Sequence, residues 1–257
     1  MIQSETTSES VPKSKFIVAA VTAALFYSAF SGQIIGSAIE SIGLPLFGYA
    51  GAILAALSDG ILLIMLASLA AHINPLQIWK LTGISADFTK PLIGAVAIFV
   101  PAVLVTFFLA PISRDFALDD LLWKGIGGPI VEEIVYRGLA IGILIRLVGW
   151  PFWAASLLPA LLFGAAHMWG SSDIMEVVGI VAITAIGGLL FGWLFVRWNF
   201  NLWPPIFLHV GLNVIWLVFD LGDNAMGGYY GNIMRLTIVG LAIGLTLRFG
   251  PRRKDLV

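Results

Sequence analysis

The sequence predicts an all-α polytopic membrane protein, with about eight transmembrane helices around an intramembrane polar cavity. Of the 257 residues, 59% are hydrophobic and only 11% are charged. The mean hydropathy of +0.97 lies far above the balance of soluble globular domains. Apolar stretches recur along most of the chain, separated by short loops. Three of these stretches also contain polar residues that hydrocarbon tolerates poorly, which predicts a polar interior.

Eight segments are long and apolar enough to cross roughly 30 Å of hydrocarbon, which takes about 20 residues in a helix. Pro151 and the run WNFNLWPP give the firmest boundaries, those of the fifth and sixth segments. We predict a single transmembrane domain over residues 16–249, with a motif-bearing core at 120–220, a polar N-terminal tail at 1–15 and a basic C-terminal tail at 250–257. The segments cover about 16–38, 45–71, 92–111, 127–148, 151–168, 176–196, 203–220 and 232–249.

The placement of lysine and arginine predicts the orientation of the chain. If successive loops alternate sides, ten basic residues share the side of both termini, three lie on the other side, and Arg137 lies within the membrane. By the positive-inside rule, both termini are expected in the cytoplasm. No basic patch is interleaved with exposed aromatic residues, so the sequence indicates no nucleic-acid partner. Cysteine is absent, which excludes disulfides, thiol nucleophiles and cysteine metal sites.

Three charges lie in the apolar stretch VEEIVYRG, residues 131–138. Glu133 and Arg137 are four residues apart, so on a helix they share one face in the order that favours an ion pair. Glu132 lies about 100° round the helix from Glu133 and cannot share that arginine as easily. It is either a protonated acid that hydrogen-bonds to backbone or water, or a carboxylate that faces a cavity.

Two later segments each add a polar face. In LLFGAAHMWG, Phe163 and His167 are four residues apart, and in IFLHVGLN the same spacing separates His209 from Asn213. Taken singly, His167 is readily explained as an interfacial or capping group, and His209 with Asn213 as an interhelical hydrogen-bond clamp. Taken together with Glu132, they supply a general base, a proton carrier and hydrogen-bond donors for an oxyanion. This is a set for hydrolysis without a side-chain nucleophile.

The three motifs resemble those of the CAAX-processing type II proteases and their bacteriocin-processing and self-immunity relatives. These form the CPBP or ABI family of intramembrane glutamate endopeptidases. The resemblance covers about residues 120–220 and rests on three motifs in order, each on its own predicted span. They are EExxxR at Glu132, Glu133 and Arg137, FxxxH at Phe163 and His167, and HxxxN at His209 and Asn213.

The resemblance implies roles for these residues. Glu132 is expected to act as general base on a water molecule with assistance from His167. His209 and Asn213 are expected to donate hydrogen bonds to the oxyanion. A supporting part falls to Glu133, Arg137 and Phe163, the last as a wall of the cavity. The resemblance also implies chemistry without a metal or other cofactor, on a peptide or protein tail at the lipid bilayer. It leaves the oligomeric state open.

Other interpretations remain open at this stage. The chain could be a non-catalytic membrane immunity or scaffold protein, a zinc protease that uses Glu and His ligands, or a proton-coupled transporter. Asp59, in ALSDGILL, fits no motif and stays unassigned. Strict alternation places Glu132 and His167 toward the outer half of the membrane and His209 nearer the inner end. Their meeting then requires tilted helices or a break near Pro204 and Pro205. The compact chain without an organelle signal favours a bacterial cell membrane.

Overall fold

The computed structural model describes residues 10–42, 49–114, 117–222 and 224–251, with side chains from residue 14 onward. These residues form helices and no β-strand, apart from an isolated bridge between Ile112 and Phe219. The all-α membrane class is therefore confirmed. The helices are α1 (Ser10–Ser41), α2 (Ala50–Ala71), α3 (Pro75–Lys80), α4 (Thr89–Leu109), α5 (residues 118–146), α6 (Phe152–Ala166), α7 (Ile174–Arg197), α8 (Trp203–Val218) and α9 (Tyr229–Phe249).

Six helices of the described part are long and apolar enough to cross a membrane: α1, α2, α4, α7, α9, and α6 together with the 3₁₀ turn that extends it to Gly170. Helix α8 has 16 residues and therefore rises only about 24 Å, short of the hydrocarbon thickness. Helix α5 changes between short α-helical and π-helical segments, and none of these segments is long enough to be counted as a span. The count of eight spans remains a prediction. The predicted N-terminal tail and basic C-terminal tail lie largely outside the described residues.

Helix α5 is not a uniform α-helix. It alternates between α-helical turns and two wider π-helical stretches, Leu121–Gly127 and Glu133–Ile141. Pro129 follows the first π stretch. Because proline has no backbone N–H, the wider hydrogen-bond spacing of that stretch leaves no donor unpaired at residue 129. Because π turns insert a residue without changing the apolar character of the sequence, hydropathy did not predict them. They often occur where a helix carries a functional side chain.

The three helices α6, α7 and α8 begin at residues that are typical of helix starts. Asp173 caps α7 by accepting hydrogen bonds from the backbone N–H groups of Met175 and Glu176. Pro151 precedes α6, as predicted. Pro204 and Pro205 lie in the first turn of α8, where a missing N–H costs nothing. The break suggested near these prolines is therefore absent, and α8 starts there instead.

Glycine lets α6 and α7 approach closely. A Cβ atom at Gly164 would lie 2.6 Å from the Val181 carbonyl oxygen and 3.1 Å from the Ala185 Cβ atom. One at Gly188 would lie 3.2 Å from Ala160. Small residues at such crossings let backbones pack together in membranes. This packing fixes α6, and hence Phe163 and His167, against α7.

The variant Gly164→Ala is expected to lower the free energy of unfolding by about 1–3 kcal/mol, because its methyl group meets backbone that cannot rotate away. Thermal unfolding of the purified protein in one detergent measures the change. Gly187→Ala is the matched control, since its Cβ atom would have no neighbour within 4 Å. Equal midpoints for the two variants would contradict the close crossing.

Candidate active site

Helices α5, α6 and α8 carry the seven residues predicted for the site. Glu132, Glu133 and Arg137 lie in the middle of α5, where the second π stretch begins. Phe163 is in the last turn of α6, and His167 follows the last residue of that helix. His209 and Asn213 lie one turn apart on α8. The tertiary fold brings the three helices together, although α7 separates α6 from α8 in the chain.

The ion pair predicted from spacing is present and buried. Nη1 of Arg137 lies 3.0 Å from Oε1 of Glu133, with side chains 1% and 0% exposed. The guanidinium also lies over two aromatic rings, 4.3 Å from the Phe163 centroid and 5.2 Å from the Phe191 centroid. Cation–π contacts of this kind strengthen when the cation is desolvated. The arginine is thus held by a carboxylate and two rings.

Glu133 has a second partner that its position in the sequence does not reveal. Its Oε1 atom lies 2.8 Å from Nδ1 of His209, 76 residues along the chain. A carboxylate that is paired with Arg137 can only accept, so Nδ1 of His209 carries the hydrogen. Phe191 stacks on the His209 ring at a centroid distance of 5.0 Å. Glu133 therefore fixes both the tautomer and the orientation of His209.

His209 connects the buried pair to the open carboxylate. Its Nε2 atom, on the far side of the ring, lies 3.7 Å from Oε2 of Glu132. The Glu132 side chain is 36% exposed, against none of Glu133. The two adjacent glutamates thus differ in surroundings, since Glu133 is enclosed and charge-paired whereas Glu132 faces open space. Their positions on the helix predicted this difference in surroundings.

His167 and Asn213 have backbone partners that leave their reactive atoms free. Nδ1 of His167 lies 2.8 Å from the Phe163 carbonyl oxygen, which can only accept, so Nδ1 donates and Nε2 takes no part in this bond. Nδ2 of Asn213 donates to the Lys124 carbonyl oxygen at 2.9 Å. The partners of His209 and Asn213 both lie on α5, so the two residues form hydrogen bonds from α8 to that one helix, as the clamp interpretation predicted.

Two cavities meet at these residues. The first, of about 410 Å³, is lined by Glu132 and extends between α1, α2 and α5. The second, of about 370 Å³, is lined by His209 and extends between α7, α8 and α9. His167, Asn213 and Phe163 line both cavities. The expected role of Phe163 as a wall agrees with this position.

The first cavity also contains polar groups that no motif marked. Asp59 of α2 accepts a hydrogen bond from Oγ of Ser28 at 2.9 Å. The same hydroxyl lies 3.2 Å from the Tyr136 hydroxyl. Tyr136 follows Glu132 by four residues, and this spacing was the available sequence signal for it. Asp59 is therefore a buried acid within a polar network at the cavity wall.

Lys124 lines both cavities, but its charge has a partner. Its Nζ atom lies 3.0 Å from Oδ1 of Asp120, one turn earlier in α5. Hydrogen bonds from Tyr49 and then from Lys124 hold the pKa of Asp120 below its usual value. No cluster of three or more His, Asp or Glu side chains suited to one metal ion occurs among the described residues, so the zinc interpretation has no ligand set there.

Comparison with known proteins confirms the resemblance inferred from the motifs. Residues 96–215 match the family model described as Type II CAAX prenyl endopeptidase Rce1-like. Over 101 residues the chain is 29% identical to the "Putative membrane peptidase YdiL" of Bacillus subtilis (strain 168). That alignment covers 39% of this chain and 37% of the relative, so it spans little more than a third of either protein. No solved structure matches the chain significantly.

Proposed function

We propose that this chain is an intramembrane endopeptidase. The premise is that residues 96–215 match the family model of Rce1-like type II CAAX prenyl endopeptidases. The chain hydrolyses a peptide bond in a peptide or protein tail at the membrane, with water activated by Glu132. One observation carries the proposal. His209 lies between a buried, charge-paired Glu133 and an open Glu132, at the junction of two cavities.

The first step of the proposed reaction is the attack of water on the scissile carbonyl carbon. The Glu132 carboxylate accepts the proton that the water loses as its oxygen bonds to carbon. The electron pair of the C=O bond moves to oxygen and forms a tetrahedral oxyanion. In this mechanism Nε2 of His167, which takes no part in the bond to the Phe163 carbonyl oxygen, helps take up and return protons. Return of the proton to the amide nitrogen lets the C–N bond break.

The oxyanion is stabilised by His209 and Asn213 in this mechanism. Nδ1 of His209 is committed to Glu133, so donation to the oxyanion comes from a protonated Nε2. Asn213 keeps one amide hydrogen after its bond to Lys124. Glu133 and Arg137 act by holding His209 in place.

The cellular setting follows the same proposal. The protein is an integral membrane protein, and its basic residues favour both termini in the cytoplasm. The relative from Bacillus subtilis supports placement in a bacterial cell membrane. The reaction requires no metal or other cofactor.

A comparison of membrane peptides from cells that express wild-type or Glu132→Ala protein tests the proposed function. We expect at least one precursor to accumulate with the variant and its shorter product to appear only with the wild type. Mass spectrometry identifies both the precursor and the cleavage position. Identical peptide profiles, with both proteins present in the membrane at equal levels, would indicate a non-catalytic immunity or scaffold role instead.

A further inference from the structure

The second cavity differs in character from the first. Its wall between the candidate site and α9 is built largely of aliphatic side chains, including Ile183, Leu190, Leu212 and Val239. Among its charged groups, Lys124 is already paired with Asp120. A segment that enters from this side therefore meets an apolar passage that ends at His167 and Asn213.

A cation without an ion-pair partner among the described residues lies in the wall of this passage. Arg235 is in the second turn of α9, a helix that is otherwise mostly apolar. Its guanidinium lies over the Trp216 ring of α8, 4.4 Å from the centroid. Among the residues that the structure describes, no carboxylate forms an ion pair with Arg235. A charge on a membrane helix is costly, and such residues usually have a partner or a functional role.

The structural role of Arg235 accounts for only part of its hydrogen-bonding capacity. Its Nη2 atom donates to the Ala225 carbonyl oxygen at 2.7 Å, which ties the loop before α9 to the helix. Its Nη1 atom and the Nε1 atom of Trp216 are buried, and neither has a hydrogen-bond partner among the described residues. Buried donors of this kind are normally satisfied. Two N–H donors from neighbouring helices are therefore left for a ligand acceptor.

We infer that Arg235 and Trp216 form a subsite for a carboxylate of the substrate. A guanidinium matches the two oxygens of a carboxylate, and an indole N–H adds a neutral donor. Both residues line the second cavity, so an acceptor that binds there lies beside them. The apolar part of the substrate then occupies the passage, and its scissile bond lies beside His167 and Asn213. This inference rests on the proposed function for the identity of its ligand as a peptide.

The carboxylate has two possible sources, the C-terminus of the peptide and an acidic side chain. Binding to purified protein separates them without any need for cleavage. The protein carries Glu132→Gln, and the probe is a fluorescently labelled pentapeptide of alanine, valine and leucine. One form has a free C-terminus, one has a C-terminal amide, and the third is an amide with aspartate at its last position.

We expect the free acid or the aspartate amide, or both, to bind at least about tenfold more tightly than the plain amide, as hydrogen bonds to charged groups allow. Arg235→Gln should remove most of this difference. Arg248→Gln is the matched control, because it removes the same charge from an exposed position near the other end of α9. The form that binds more tightly identifies the source of the carboxylate.

Two results with the three peptides would overturn the subsite. In one, the three peptides bind equally to protein with Arg235 intact. In the other, Arg235→Gln weakens all three by the same factor, as the loss of a purely structural contact would. Displacement of the free acid by phosphatidylglycerol, but not by unlabelled peptide acid, would assign Arg235 to a lipid headgroup. That result would also overturn the carboxylate subsite.

Cleavage of the same peptides by protein with Glu132 intact separates this inference from the proposed function. Carboxylate-dependent binding without cleavage would leave the subsite in place and count against the endopeptidase. Cleavage that is indifferent to both the carboxylate and Arg235 would leave the endopeptidase in place and remove the subsite.

Discussion

Glu132→Gln is expected to lower kcat for peptide cleavage by about 10²–10⁴-fold, the usual contribution of a general base. The amide has the size of the carboxylate but cannot accept a proton from water. Because the Glu132 side chain faces the first cavity and is not enclosed in the core, the fold should be retained. Steady-state kinetics with a cleaved peptide measure the loss, and the thermal midpoint checks the fold.

Glu176→Gln is the control for the Glu132 prediction. It makes the same chemical change at an exposed glutamate whose carboxylate accepts a hydrogen bond from Ser171. Its kcat should stay within about twofold of the wild type, as is usual for a surface change. A Glu132→Gln variant with more than half of the wild-type kcat would remove this residue from the mechanism.

Arg137→Met is expected to lower the free energy of unfolding by about 3–5 kcal/mol, because it leaves Glu133 as a buried charge without its partner. The double variant Glu133→Gln with Arg137→Met should recover part of this loss, since neither charge then remains. Activity should not recover, because His209 loses the charged acceptor that orients it. Unfolding over a series of detergent concentrations measures the change in stability, and peptide cleavage measures the change in activity.

The double variant decides between two roles of the pair. Recovery of stability without recovery of activity supports the orienting role of Glu133. Recovery of both would reduce the pair to a structural ion pair, as its i, i+4 spacing alone suggested. No recovery of stability would indicate that the contacts of Arg137 with Phe163 and Phe191 outweigh its charge.

Local spacing in the sequence predicted the parts of the site that lie within one helix. The ion pair of Glu133 and Arg137 follows from a separation of four residues. The different surroundings of Glu132 follow from its position about a quarter-turn away. The long apolar helices follow from hydropathy. Each of these features depends on neighbours within one or two helical turns, which is the range that periodicity reports.

Contacts between helices could not be predicted in the same way. The bond from His209 to Glu133 joins α8 to α5 and was hidden by the i, i+4 match of Glu133 with Arg137. Asn213 turned out to donate to a backbone carbonyl, which no side-chain motif encodes. The π stretches of α5 leave the apolar pattern unchanged, so hydropathy did not reveal them.

That Arg235 has no ion-pair partner in the described part of the chain also could not be seen without the fold. In the sequence it is one of three basic residues assigned to the outer side of the membrane, and the positive-inside count treats it only as a charge. Its relation to Trp216 and to the second cavity depends on how α8 and α9 pack.

Activation of water by Glu132, for hydrolysis of a peptide bond within the membrane, is the step on which the proposed function depends. Its most direct test uses purified protein in liposomes, a peptide identified by the cellular comparison, and water enriched in ¹⁸O. Mass spectrometry should find one ¹⁸O atom in the new carboxyl group of the product with wild-type protein, and no product with Glu132→Ala. Equal amounts of labelled product from both proteins would contradict the claim.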